Sequence, residues 1–261
     1  SGGTEGGLSP HWLVFEVDAS EQNADYSLPG LAAGVAFTRD FKPEEIGRLE
    51  QVIETRDAVK RAMASAGIQH EDDVHFVQIK CPLLTASRIS EAASRGHTTA
   101  CHDTYESMGY SRGASALGVA VALGDLTAEQ LSNEKICSDW SLYSTRASTS
   151  AGIELLRNEV LVLGNAAGWD PAYRIGHAVM EDALDTAAID RALASMPGGA
   201  QLTITPDNLT GLLVKAEPSA SGEIRGNRHV MSDDSDINGS RHARSLVGGV
   251  LAGRLGDTRL F

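Results

Sequence analysis

Val74-His75-Phe76-Val77-Gln78-Ile79-Lys80 decides how this chain is read. The run is short, rich in β-branched and aromatic residues, and ends on a charge, which predicts a strand whose last residue reaches water. The chain has only five lysines, and two of them, Lys80 and Lys215, close apolar runs. The second run is Gly211-Leu212-Leu213-Val214-Lys215 and reads as a sister strand. Each lysine has a small-residue turn for company. Ser148-Thr149-Ser150-Ala151-Gly152-Ile153-Glu154 follows the first strand, and Ser1-Gly2-Gly3-Thr4-Glu5 opens the chain.

Working outward, Gly34-Val35-Ala36-Phe37-Thr38 and Glu159-Val160-Leu161-Val162-Leu163 also read as strands. Pro43-Glu44-Glu45 predicts a helix start, with acids suited to the positive end of the helix dipole. That helix is expected to run to about Ala66, with Gly67 as its C-cap. A second helix is expected over residues 174–196. Pro and Ser residues make Glu217-Pro218-Ser219-Ala220-Ser221-Gly222 a turn or loop. Residues 231–236, polar and acidic, read as a loop before a helix carrying Arg241. Alternating strands and helices place the fold in the α/β or α+β class.

The two halves read as copies. Ala58-Val59-Lys60-Arg61-Ala62-Met63-Ala64-Ser65 matches Ala188-Ile189-Asp190-Arg191-Ala192-Leu193-Ala194-Ser195 at an offset of 130. Ile46-Gly47 matches Ile175-Gly176 and Arg112 matches Arg241, both at 129, while Lys80 matches Lys215 at 135 and Ser1 precedes Ser150 by 149. A period this long is not a solenoid repeat and points to duplicated domains. The boundaries drawn are 1–20 for the end of a first unit, 21–155 for a second and 156–261 for a third.

The formal net charge of −13 over 261 residues argues against nucleic acid or an anionic membrane as partner. No apolar run approaches the ~20 residues that a membrane helix needs. The three cysteines, Cys81, Cys101 and Cys137, form neither a disulfide framework nor a zinc spacing, which suits a reducing, cytoplasmic setting. His97, His102, Cys101 and Asp103 match no metal motif.

Serine is a poor nucleophile until a base takes its proton, and a lysine kept neutral by desolvation or a nearby cation can be that base. Lys80 and Ser150 are the candidates, Lys80 being expected to be buried. Backbone N–H groups near Ala151 and Gly152 would then hold the oxyanion that forms on attack at a carbonyl. Ser1 and Gly2 offer similar backbone. Arg112 and Arg241 carry forks able to grip carbonyl oxygens of a planar ligand. Each residue has a plainer reading: a strand-end lysine reaching for water, a serine at a helix N-cap, an arginine in a surface ion pair. For Arg244 the ion pair is the reading adopted. A Ser–His–Asp triad would need a histidine at Ser150, and His177 is the nearest candidate.

On these residues the chain resembles the ring-opening amidohydrolases, the cyanuric acid hydrolase and barbiturase family. The resemblance is carried by Ser1-Gly2-Gly3-Thr4-Glu5-Gly6 with Leu8-Ser9-Pro10-His11, and by Val77-Gln78-Ile79-Lys80-Cys81-Pro82-Leu83-Leu84. It continues through Asp103-Thr104-Tyr105-Glu106-Ser107-Met108-Gly109-Tyr110-Ser111-Arg112-Gly113-Ala114-Ser115 and Ser150-Ala151-Gly152-Ile153-Glu154. Ser235-Asp236-Ile237-Asn238 with Arg241-His242-Ala243-Arg244 completes it. The resemblance implies a triangular, barrel-like fold of three units with internal pseudo-threefold symmetry. It implies Ser150 and Lys80 as the reacting pair, and Ser1, Gly2, Ala151, Lys215, Arg112 and Arg241 as binders of a small planar cyclic amide. Cyanuric acid, with its threefold symmetry, ranks ahead of barbituric acid. A ligand-binding or scaffold role without turnover is the rival from another class. No cofactor is implied for catalysis, while a structural magnesium or calcium ion and a homotetramer are. The family's first lysine and arginine would precede Ser1 and its third serine would follow Lys215, so the chain is expected to be the central part of a longer protein, with one whole unit and two partial ones.

Overall fold

The computed structural model describes residues 4–17 and 26–260. The chain divides into two compact units, one of residues 18–175 and one that joins residues 1–17 to 176–261.

In the first unit β1 (Gly30–Phe37), β2 (Val74–Cys81), β3 (Ala147–Ala151) and β4 (Glu159–Ala166) form one sheet in the order β1-β4-β2-β3. β4 runs antiparallel to both its neighbours, and β2 and β3 are parallel. Helices α1 (Leu49–Ala66) and α3 (Thr104–Ala122) pack on one sheet face, and α2 (Ala86–Ser94) follows β2. The core is Ala32, Ala58, Val59 and Ala62 against Val77, Ile79, Val160 and Val162. Small residues let α1 come close. A Cβ on Gly34 would lie 1.9 Å from the Ala62 carbonyl oxygen, so only glycine allows this approach. On the other sheet face Val35 and Phe37 are about half exposed (55% and 46%).

In the second unit α4 (Ala188–Ala194) and α5 (Gly239–Leu255) provide the regular structure, with a short hairpin of β5 (Glu223–Ile224) and β6 (Asn227–Arg228). Ile189, Val247, Leu251 and Leu255 form its core, with Leu8, Leu212 and Val214 against them. The duplicated packing is visible here. A Cβ on Gly176 would lie 2.0 Å from the Ala192 carbonyl oxygen, and Ser65 and Ser195 stand 2.8 and 2.9 Å from the two imagined Cβ positions. Ser65 and Ser195 each return a hydroxyl to the carbonyl three residues back. Helices α3 and α5 also bury matching positions: Ala114 with Ala243, Val119 with Gly248, Ala122 with Leu251.

Several expectations are corrected. The helix expected from Pro43 is a 3-10 turn over Pro43–Glu45, and α1 begins only at Leu49. Gly47, at φ +78°, breaks the path, and the Gln51 side chain takes its N–H at 2.7 Å. Gly67 caps α1 in the left-handed conformation as expected. The helix expected over residues 174–196 shrinks to Ala188–Ala194. Before it, Asp182 and Asp185 take the N–H groups of Leu184 and Glu181, an aspartate habit that competes with helix. Gly176 therefore corresponds to Gly34 and not to Gly47. The run ending at Lys215 is no strand. Leu212 and Val214 pack, partly buried, against the core, but among the described residues no ladder partner pairs with them. The Ser148–Glu154 stretch, read as a turn, begins as strand β3. Residues 231–236 do form a loop, and α5 follows with Asn238 as its N-cap.

Candidate active site

Lys80 and Ser150 are register partners in the parallel β2–β3 pair. Side chains at paired positions share a sheet face. β3 is the edge strand, so β2 is its only neighbour in the sheet. Two residues earlier the same register pairs Gln78 with Ser148, and the Ser148 hydroxyl donates to Gln78 Oε1 at 2.7 Å. On the other side of β2, β4 sets Glu159 opposite Lys80. Glu159, Lys80 and Ser150 thus form a row across the sheet.

The Ser150 hydroxyl is buried and has no hydrogen-bond partner, although the residue as a whole is only half buried. An uncompensated buried hydroxyl costs about 1–3 kcal/mol and calls for an explanation. Lys80 is exposed, contrary to the burial expected of it. Its position at the last turnout of the strand, one residue before Cys81, leaves the amine free to reach water or a ligand.

The oxyanion expectation narrows. Gly152 donates its N–H to the Cys81 carbonyl at 2.9 Å, which extends the β2–β3 ladder. That group is committed. Ladder alternation turns the Ala151 N–H away from β2, on the open edge. Gly152 also owes its lack of a side chain to Glu154, whose carboxylate lies 2.4 Å from where a Cβ would stand.

Arg112 is exposed on α3 and ties its Nε to the Met108 carbonyl at 3.2 Å. Asp103 caps that helix by accepting the Glu106 N–H at 2.7 Å. The Arg112 turn is fixed by Cys137, held at φ +59°, whose thiol donates to the Gly109 carbonyl at 3.3 Å. A Cβ on Gly113 would meet the same sulfur at 2.6 Å. Burial pushes the Cys81 thiol up, while the Ser111 and Ser115 hydroxyls and the charges of Arg112 and Lys80 pull it down. The β2–β3 register thus brings Lys80, Ser150 and Ala151 beside Cys81, while Arg112 stands on α3.

Lys215 and Arg241 are exposed in the second unit, Arg241 in the first turn of α5. Ser1 and Gly2 lie outside the described residues. Arg244 makes the surface ion pair expected of it, 2.8 Å from Glu5. His177 gives its backbone N–H to Ser195, and no histidine is bonded to the Ser150 hydroxyl. Among the described residues no three His, Cys, Asp or Glu side chains gather where an ion could be held. None of the described helices is long and apolar enough to cross a membrane.

Sequence reasoning missed Cys81 as part of the site, together with the polar cluster behind it. Gln51 and Thr55 are fully buried in the apolar stripe of α1 that continues through Ala58 and Ala62. Polar residues inside such a stripe were the signal available in the sequence.

The sequence model of the family described as amidohydrolase ring-opening protein (Amido_AtzD_TrzD) matches residues 1–261. The cyanuric acid amidohydrolase of Ectopseudomonas oleovorans (strain CECT 5344) is 79% identical over 261 residues, which span all of this chain and 72% of that protein. The crystal structure of cyanuric acid hydrolase from A. caulinodans superposes with a TM-score of 0.86 at 52% identity, over all of this chain and 71% of its own. A second structure, described as "Cyanuric acid hydrolase: evolutionary innovation by structural concatenation", has a TM-score of 0.81 at 47% identity and covers 92% of this chain and 65% of its own.

Proposed function

Because the chain belongs to the ring-opening amidohydrolase family, we propose that it acts in the hydrolytic opening of cyanuric acid, with Ser150 as nucleophile and Lys80 as base. The observation that carries the reading is the β2–β3 register, which pairs Lys80 with Ser150, whose buried hydroxyl has no hydrogen-bond partner among the described residues. Cyanuric acid is chosen over barbituric acid because relatives at 79% and 53% identity are cyanuric acid amidohydrolases.

In this reading Lys80 Nζ takes the Ser150 proton as Oγ attacks a ring carbonyl carbon. The oxyanion is met by the Ala151 N–H, and Arg112 grips a ring oxygen. The tetrahedral centre collapses, the ring C–N bond breaks, and the departing nitrogen takes the proton back from Lys80. Water then attacks the acyl-serine, releasing carboxybiuret, which loses carbon dioxide to give biuret. A lysine serves as base when desolvation or a neighbouring cation favours its neutral form. Bound substrate would supply the desolvation that the exposed strand end lacks. Cys81 is no rival nucleophile, since burial keeps its thiol protonated.

Ser1, Gly2, Lys215 and Arg241 as binders of ring oxygens rest on the resemblance and on their residue types. A structural magnesium or calcium ion and a homotetramer rest on the resemblance too, and a cytoplasmic location on the cysteine pattern. No step above involves a metal. The test is release of biuret from cyanuric acid, with barbituric acid run beside it. Turnover of cyanuric acid supports the reading. Turnover of barbituric acid alone transfers the mechanism to the other substrate, and binding of the ring without turnover favours the scaffold role.

A further inference from the structure

We infer that Cys81 is a positioning residue for the reaction, holding the Ser150 backbone in front of a buried polar cluster that starts in α1. The inference rests on Ser150 being the nucleophile. The Cys81 thiol, itself wholly buried, donates to the Ser150 carbonyl at 3.4 Å. The carbonyl of Cys81 accepts the Gly152 N–H at 2.9 Å. One residue thus holds the nucleophile's strand by two bonds, on either side of the Ala151 peptide. β3 is a sheet edge of only five residues, and an edge so short needs such anchoring.

Behind the sulfur the bonds have one direction. Ser115 Oγ accepts Gln51 Nε2 at 3.1 Å and Asn158 Nδ2 at 2.9 Å. The Ser111 and Ser115 hydroxyls act on the Cys81 thiol from this cluster, against the burial that pushes it up. Ser111 accepts a second Gln51 proton at 2.9 Å. Gln51 is oriented in turn by accepting the Gly47 N–H, and Asn158 by donating to Thr55 Oγ1 at 2.7 Å. Gln51, Thr55, Ser111, Ser115 and Asn158 are all fully buried. Amides donate to hydroxyls within the cluster, and the thiol in front of it donates to the Ser150 carbonyl. This orientation needs a protonated thiol, and burial keeps it so. A cluster that served only to fill the core would be cheaper as hydrocarbon.

The test compares Cys81→Ala, Cys81→Ser and Ser115→Ala in the full-length protein, with Ser150→Ala beside them, by kcat, KM and melting temperature on cyanuric acid. Positioning predicts that Cys81→Ala lowers kcat roughly tenfold to a hundredfold, the scale of misplacing a reacting group by about 1 Å. KM should stay within about twofold, since ground-state binding is not what is lost. Cys81→Ser, which restores a donor, should recover most of the rate even where its melting temperature does not recover. Wild-type kcat in Cys81→Ala, or an equal loss in the alanine and serine variants, overturns the inference. Should Cys81→Ala not fold, Ser115→Ala decides by the same split, and wild-type kcat there overturns it. Activity retained in Ser150→Ala instead overturns the nucleophile reading on which the inference stands, whatever the cysteine variants do.

Discussion

The two lysine-bearing runs of this chain share a pattern and differ in fate. Val77, Ile79 and Lys80 sit in β2, paired on both sides by β3 and β4. Leu212, Val214 and Lys215 bury their apolar members against α5 but join no ladder among the described residues. Apolar alternation therefore specifies which face a side chain turns to the core, and a hydrogen-bonded neighbour decides whether the run becomes a strand. The functional consequence follows. Lys80 has a serine fixed beside it by register, and Lys215 closes a run that is no strand.

The comparison is broken most sharply at the lysines. Lys80→Ala should lower kcat by about 10³-fold, within the range for loss of a general base. Lys215→Ala should raise KM and cost kcat far less; equal losses in kcat would erase the distinction. Steady-state kinetics on the full-length protein measure both.

A smaller effect is expected at the paired glycines. Gly34→Ala forces the β1–α1 contact apart and should destabilise by about 3 kcal/mol, the upper end for overpacking. Gly176→Ala meets an equally close carbonyl but presses on α4, a helix of only seven residues that can shift. Its melting temperature should fall less. A larger fall at Gly176 would show the second contact to be the stiffer.

How much of this could be read beforehand varies by element. β2, β4 and the C-terminal end of α1 were legible, because their apolar periodicity coincides with real packing and Gly67 supplies the stop. β3 was not, because Ala147-Ser148-Thr149-Ser150-Ala151 carries no apolar alternation and exists as a strand only through β2. Nor was the shortening of the helix before Ser195, where aspartates capture the backbone. At the site, Lys80, Ser150 and Arg112 could be named from residue type and repetition. The exposure of Lys80, the commitment of the Gly152 N–H and the part played by Cys81 depend on which neighbour each strand meets, which spacing does not encode.

The smallest predicted effect concerns acid stability in the first unit. The Arg95 guanidinium holds Glu44 down to about 2. A depressed carboxylate contributes stability above its unfolded value, here 4.5, and loses it as pH falls from there toward 2. The pair is partly solvated, so its share is modest. Arg95→Met should lower the melting temperature slightly at neutral pH, and the difference from wild type should vanish as pH falls toward 2. A difference that stays constant across that range would remove the pair from the account. The second unit offers a parallel in Asp185, held near 2 by Arg191, which should behave alike in Arg191→Met.

The claim at the centre is that Ser150 attacks the ring. It is tested most directly by rapidly quenching the full-length protein during turnover of cyanuric acid and mapping the adduct by mass spectrometry. The account predicts an acyl group carrying the whole mass of the opened ring on Ser150, lost in Ser150→Ala together with turnover. An adduct on another residue, or a Ser150→Ala variant that keeps more than about a hundredth of the wild-type rate, would contradict it.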